Sequence, residues 1–326
     1  MHRRKALNPP PIVSAISFII PTYNCAETVR ESIDSIFNGN FELGDEVILI
    51  NDCSTDNTAE VSLELQAQHP AIRILNHRVN KGTAAASRNT GIEHAGNDLI
   101  FCLDADNVLV PESVPQLKAH LIAMGADAAA FGEQHCFRHP TGELIYKWCY
   151  NEEITFADAL AGHIWPGHGG NYLFTKQSWL KAGRYFEPTL LNQTLDSWGF
   201  GASQLGTGAK MVTLPHTHYL HRQGINSHYV REHSRGNQSL AALAVLFPFL
   251  DMIYDDDVNY MMSRKGRYIW FNNLDKRPVR MKAGIIGKTG YSINCWLETH
   301  SSMPAKMSIW KKMKHRIGAL LIPKRS

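Results

Sequence analysis

Four short apolar runs, each closed by a polar cluster and parted from the next by a stretch of helical periodicity, constrain this chain most. They are Ile16-Ser17-Phe18-Ile19-Ile20, Val47-Ile48-Leu49-Ile50, Ile72-Arg73-Ile74-Leu75 and Leu99-Ile100-Phe101-Cys102-Leu103. Runs this short and this apolar suit strands covered on both faces, as in a parallel sheet. Between them, Ala26 to Phe37 predicts a helix with Ile33, Ile36 and Phe37 on one side and Asn24 as its cap. Thr58 to Gln68 predicts a second helix behind Ser54, Thr55 and Asp56. Gly82 to His94 predicts a small-residue helix that stops at Gly96. Pro111 to Met124 starts with proline in its first turn, and Ala126 to Phe131 reads as a fifth strand. The alternation predicts an α/β fold with a mostly parallel sheet and helices on both faces.

Composition narrows the function classes. A chain of 326 residues with 44% apolar and 19% charged residues can bury a large core. A formal net charge of +3 carries no nucleic-acid footprint. None of the six cysteines forms a Cys-x-x-Cys pair, so they read as reduced thiols in a cytoplasmic protein. The basic start, Met1-His2-Arg3-Arg4-Lys5, lacks a signal-type apolar stretch. Leu240 to Tyr254 is too short to span a bilayer and is broken by Pro248 and Asp251, so no transmembrane helix is expected.

The expected organisation is a domain over 1–238, in two halves of about 15–131 and about 132–238, and a helical extension over 239–326. Gly132 to Leu214, rich in Gly, Trp, His and Asn, suits loops and short elements over a pocket. Lys306 to Ser326 has five lysines, two arginines and no acid, with Ile309, Trp310, Met313, Ile317, Leu320 and Leu321 on one helical face. Such a helix either lies on an anionic membrane at the inner face or docks on the protein with its lysines solvated.

Ligands of open parallel sheets bind beyond the carboxyl ends of the strands. Those ends carry Pro21-Thr22-Tyr23-Asn24, Asn51-Asp52-Cys53-Ser54-Thr55-Asp56, Asn80-Lys81-Gly82 and Asp104-Ala105-Asp106-Asn107. Tyr23 offers a flat face to a base, and Asp52 can accept a base N–H. Lys81 and Arg88 can neutralise phosphate, and Gly82 permits close backbone approach. Two aspartates repel a diphosphate unless a hard cation, Mg²⁺ or Mn²⁺, stands between them. Asp52 and Asp56 can equally cap the next helix. Trp165, Trp198 and Tyr172 can stack on an acceptor sugar or fill a core.

The strings Phe18-Ile19-Ile20-Pro21-Thr22-Tyr23-Asn24, Ile50-Asn51-Asp52-Cys53-Ser54-Thr55-Asp56 and Leu103-Asp104-Ala105-Asp106 resemble the family 2 glycosyltransferases over about residues 15–235. The resemblance implies the GT-A (nucleotide-diphospho-sugar transferase) fold, a Rossmann-like sheet, and an inverting transferase. It implies that 1–238 is a catalytic domain whose half over about 15–131 binds a nucleotide-sugar donor, a UDP-sugar, and whose half over about 132–238 binds a glycan or lipid-linked acceptor in polysaccharide or cell-envelope synthesis. Pro21, Thr22, Tyr23, Glu27 and Asp52 would lie on the nucleoside, Asp104 on the ribose or sugar, and Asp106 on the metal. Asp196, in Leu195-Asp196-Ser197-Trp198-Gly199, would be the general base, although the family commonly has Glu-Asp there. Asn171 and Trp198 would lie on the acceptor side. Among His216, His218 and His221, the His221-Arg222 pair best resembles the family's closing motif, which makes His221 the third metal ligand.

Rival readings are a nicotinamide oxidoreductase, a sugar nucleotidyltransferase, an inactive binding module of the same fold and a retaining transferase of the mucin type. No G-x-G-x-x-G follows the first run, which opposes the first. No Gly-rich phosphate loop near the N-terminus supports the second. Retention of the acidic residues opposes the third, and the product anomer decides the fourth.

Overall fold

The computed structural model of the chain describes residues 14–161, 164–186, 195–223, 238–272, 274 and 279–282. The four apolar runs become β1 (Ile16–Thr22), β2 (Glu46–Asn51), β3 (Ile72–Asn76) and β4 (Leu99–Cys102). Between them lie α1 (Val29–Phe37), α2 (Thr58–Gln68) and α3 (Ala84–His94). The strands pair in parallel in the order β3-β2-β1-β4, so their polar carboxyl ends share one edge of the sheet.

Beyond β4 the sheet becomes mixed. The chain continues through β5 (Val108–Leu109), α4 (Ser113–Met124), β6 (Ala128–Arg138), β7 (Glu143–Cys149), β8 (Glu153–Ile154) and α5 (Phe156–Leu160). It then forms β9 (Leu173–Thr175), α6 (Lys176–Lys181), α7 (Asp196–Gly206) and β10 (Met211–Gln223). The order is β3-β2-β1-β4-β9-β6-β10-β5, with β7 on β6 and β8 on β10. The predicted fifth strand therefore does not adjoin β4, because β9 inserts antiparallel between β4 and β6. The stretch expected to be loops instead holds long strands: β6 runs past Phe131 to Arg138 and pairs with both β7 and β10.

Two helix starts also differ. Cys25 accepts the backbone N–H groups of Thr28 and Val29, so a turn precedes α1. Glu112 takes φ 59, a left-handed conformation that delays α4 to Ser113.

Strand alternation divides the core. Ile16, Phe18 and Ile20 of β1 pack with Ile33, Ile36 and Leu117 from α1 and α4. Ile19 faces the other way, toward Ile50, Ile92 and Phe174. The same second cluster takes in α8 (Gln238–Leu246), whose Ala241 to Leu246 are buried. Beyond α8 follow α9 (Asp255–Met262) and α10 (Arg264–Phe271), and Trp270 donates its indole N–H to Leu160 O at 2.6 Å. The expected division near residue 238 thus falls within one shared apolar cluster. The basic segment Lys306 to Ser326 lies outside the described residues. Among the described residues, no helix is long and apolar enough to cross a membrane.

Gly91 sets how closely α3 approaches the sheet. A Cβ there would stand 2.6 Å from Ile19 Cγ2 and 2.6 Å from Ile50 Cδ1. Both neighbours are branched and fully buried, so little can yield. Gly91→Ala is expected to lower stability by about 1–3 kcal/mol through overpacking. Denaturant titration checks it, and an unchanged midpoint would contradict this packing.

Candidate active site

At the shared strand edge, the loops after β1 and β2 are tied together. Asn24, at φ 49, accepts the Thr55 N–H at 2.7 Å, and Ser54 Oγ accepts the Asn24 N–H at 3.1 Å. Asp56 accepts the N–H groups of Ala26 and Thr58 at 3.1 and 3.0 Å, the cap-like alternative for that residue. Tyr23 stands 48% exposed beyond β1, its ring free to meet a flat ligand. Pro21 is half-buried, and buried Thr22 donates its hydroxyl to Ile50 O at 3.1 Å. Glu27 is exposed on the turn before α1.

Asp52 organises the loop after β3. Its carboxylate accepts the Lys81 N–H at 2.8 and 3.1 Å and the Gly82 N–H at 3.2 Å. His77 Nδ1 lies 2.7 Å from the same carboxylate, and His77 Nε2 lies 3.0 Å from Thr90 Oγ1. These bonds engage both oxygens of the carboxylate, and the residue is buried. The Lys81 side chain is exposed. His77 is absent from the sequence expectations although it stands one residue past β3, where the strand-end rule points.

Arg88 is the centre of the site. The sequence suggests a phosphate ligand; the fold buries this guanidinium to 3% exposure between two carboxylates. Nη2 donates to Asp104 Oδ1 at 2.5 Å, and Nη1 donates to Asp196 Oδ2 at 2.7 Å and to Ser197 Oγ at 3.0 Å. The Tyr185 ring lies 5.3 Å away against the guanidinium. Burial alone would pull its pKa down, but Asp104 and Asp196 hold it well above the ordinary value. Residues 108 positions apart in sequence thus meet at one cation.

Asn171 serves Asp104 directly. Its Oδ1 accepts the Asp104 N–H at 2.8 Å, and its Nδ2 donates to Asp104 Oδ2 at 3.2 Å and to Gly169 O at 2.6 Å. This buried amide is therefore a strut under the Asp104 carboxylate. Gly170 makes the approach possible: it sits at φ 72, and a Cβ there would lie 2.4 Å from Ser197 Oγ. Trp198, the other acceptor-side residue, is 7% exposed and meets Trp165 edge-on at 6.4 Å, so it packs as core.

Asp106 is crowded by protein while keeping some contact with solvent. Burial, and then the neighbouring Asp104, raise its pKa to about 7. Arg222 grips this turn from behind: its Nε donates to Asp106 O at 2.9 Å, its N–H goes to Asn107 Oδ1 at 3.0 Å, and it pairs with Glu31. On the same strand, His221 has its Nδ1 buried without a hydrogen-bond partner. Burial lowers its pKa while the charge of Asp104 works against that shift. Two carboxylates on one turn and an imidazole with an unused nitrogen suit a divalent cation. They do not complete a cage by themselves: among the described residues, no three His, Cys, Asp or Glu side chains form a metal-holding group. His216 is exposed at φ 62, and His218 stacks on His135 at 3.8 Å, with Glu133 Oε2 2.6 Å from His135 Nε2.

A polar edge over parallel strands, with an Asp-x-Asp turn beside an antiparallel insertion, is the arrangement of the GT-A type nucleotide-diphospho-sugar transferase fold. Residues 17–177 match Glycosyl transferase family 2, and the chain belongs to that family. A hyaluronan synthase from Pasteurella multocida is 39% identical over 170 residues, 51% of this chain and 16% of that protein. A poly-β-1,6-N-acetyl-D-glucosamine synthase from Staphylococcus epidermidis is 39% identical over 97 residues, 30% of this chain and 23% of that protein. The chain thus spans under a quarter of the length of either relative. Residues 1–349 of S. aureus TarS, solved with UDP-GlcNAc, share the fold at TM-score 0.59 and 15% identity, over 80% of this chain and 72% of that one.

Proposed function

We propose that the chain transfers a sugar from a UDP-sugar to a hydroxyl of a glycan or lipid-linked acceptor, with inversion, in polysaccharide or cell-envelope synthesis. The observation that carries this reading is the meeting of Asp104 and Asp196 at Arg88. It sets the carboxylate of the strand-edge turn beside a carboxylate from the second half of the fold. Similarity to a hyaluronan synthase and a poly-β-1,6-N-acetyl-D-glucosamine synthase, and the UDP-GlcNAc bound to TarS, support the donor class.

Tyr23 and Asp52 receive the base, and Lys81 lies within the loop that Asp52 shapes. Asp196 takes the proton from the acceptor hydroxyl as that oxygen attacks the anomeric carbon and the bond to the nucleoside diphosphate breaks. Its Oδ1 also accepts the Ser197 N–H at 2.9 Å, so the carboxylate is held at both oxygens and still has free lone pairs. Asp106 and His221 would hold Mn²⁺ or Mg²⁺ only together with oxygens of the donor diphosphate, and the cation would then offset charge on that leaving group. Contact of Lys306 to Ser326 with an anionic membrane belongs to the same proposal.

A screen of nucleotide sugars with Mn²⁺, reading UDP or GDP release and the product anomer, tests the reading. Release from a UDP-sugar with inversion is expected; binding without turnover for every donor would make the chain a binding module. Asp106→Asn is expected to abolish the response of donor affinity to Mn²⁺ in calorimetry. Full activity of the wild type in EDTA would remove the cation from the proposal.

A further inference from the structure

The sheet continues outward from the site onto β7, and what it carries there is aromatic. Register places Trp148, Gln134 and Tyr219 in one row across β7, β6 and β10, and Tyr146, Cys136 and His221 in the next. Partners in register share a sheet face. Side-chain contacts agree: Tyr219 bonds Gln134, Tyr150 donates to Gln134 Oε1 at 3.2 Å, and Tyr219 lies edge-on to His221 at 6.3 Å. The opposite face carries a separate polar group, Glu133, His135, Lys147 and His218.

The two rows thus share one face of the sheet, with Gln134, Cys136 and Tyr219 buried along it. At its inner end, the field of Asp104 acts on both Tyr219 and His221. At its outer end, two strand spacings or about 10 Å away, lie Tyr146 and Trp148, with ring centroids 5.7 Å apart and both only half-buried. Trp148 also meets His168 edge-on at 6.0 Å. His168 closes the Pro166–His168 turn that leads into Gly169, Gly170 and Asn171, the support of Asp104.

We propose that Tyr146 and Trp148 form an acceptor platform on which a pyranose ring of the growing glycan stacks, beyond the residue that presents its hydroxyl to Asp196. The inference rests on the glycosyltransferase reading above. Aromatic faces receive the C–H faces of sugars, and the edge strand leaves both rings reachable. Placement on the sheet face that carries His221, together with the contact to His168, favours the acceptor over any partner unrelated to the reaction. The two strand spacings between the His221 strand and the platform exceed one pyranose ring, so the platform reads an oligosaccharide and not a single sugar.

The test uses the full chain with oligosaccharides of N-acetylglucosamine and of hyaluronan as probes. Oligosaccharide binding is read by saturation-transfer NMR, UDP binding by calorimetry and mass by sedimentation. Trp148→Ala and Tyr146→Ala are each expected to weaken oligosaccharide binding roughly tenfold. UDP affinity should be unchanged, which also shows that each variant folds. Lys147→Ala, on the same strand but the other face, should behave as wild type. Unchanged oligosaccharide binding in both aromatic variants would overturn the platform. So would a wild type that binds UDP but no probe, or a fall in sedimenting mass in Trp148→Ala, which would make the face a contact between copies. A wild type that fails to bind UDP yet shows Trp148-dependent oligosaccharide binding would remove the donor reading and keep the platform.

Discussion

Asp196→Asn is expected to lower sugar transfer by about 10²–10⁴-fold, the usual contribution of a positioned base, while UDP binding stays near wild type. The amide matches the carboxylate in shape. Its oxygen can still accept from Arg88 or from Ser197 N–H, so the start of α7 keeps its place. What the substitution removes is the capacity to take a proton. The site fits that role because the carboxylate is 21% exposed: near enough to solvent to meet an acceptor, yet paired with a buried cation that keeps it oriented. Donor affinity and single-turnover transfer, measured on the same preparation, separate binding from chemistry. Near-normal turnover in the variant would move the base elsewhere.

Arg88→Ala is expected to do the broadest damage. It leaves Asp104 and Asp196 facing each other without the cation between them, and it opens a space beneath Tyr185. Removing one partner of a buried ion pair typically costs about 3–5 kcal/mol. The two carboxylates are 27% and 21% exposed and can draw in water, so the lower end of that range is expected. Transfer should fall together with stability, since both halves of the site lose their common anchor. Arg88→Lys should recover part of the stability but little of the transfer, because an ammonium is a point charge that cannot fork between two carboxylates. Thermal melts and transfer rates for the pair of variants test this. An alanine variant with wild-type melting and transfer would show that Arg88 does not bridge the site.

The parallel half of the fold is readable along the chain. Ile16 to Ile20 and Val47 to Ile50 are apolar without alternation because both sheet faces are covered, and the polar residues that close them mark the ligand edge. Local signals fail where a few residues depend on distant partners. Leu173 to Thr175 is too short to show any period, yet its pairing with β4 and β6 turns the sheet from parallel to mixed. Glu133 to Arg138 mixes polar and apolar residues because β6 there serves a site on one face and a polar cluster on the other. Nothing adjacent to Asn171 or Trp198 in sequence says that one props Asp104 and the other fills the core.

The sequence alone determined the class of fold, the sheet edge where the polar loops gather, and the acidic residues Asp52, Asp104, Asp106 and Asp196 as the groups to follow. These are local properties: apolar period, strand-ending motifs and residue chemistry. Only the tertiary structure decided what those groups touch. It turned Arg88 from a presumed phosphate contact into the bridge between Asp104 and Asp196, gave Asp52 to His77 and the loop of Lys81 and Gly82, and set Tyr146 and Trp148 on the face that carries His221. The physical reason is that an ion pair or a sheet register is a relation between segments far apart in the chain, and only the closed fold makes them neighbours.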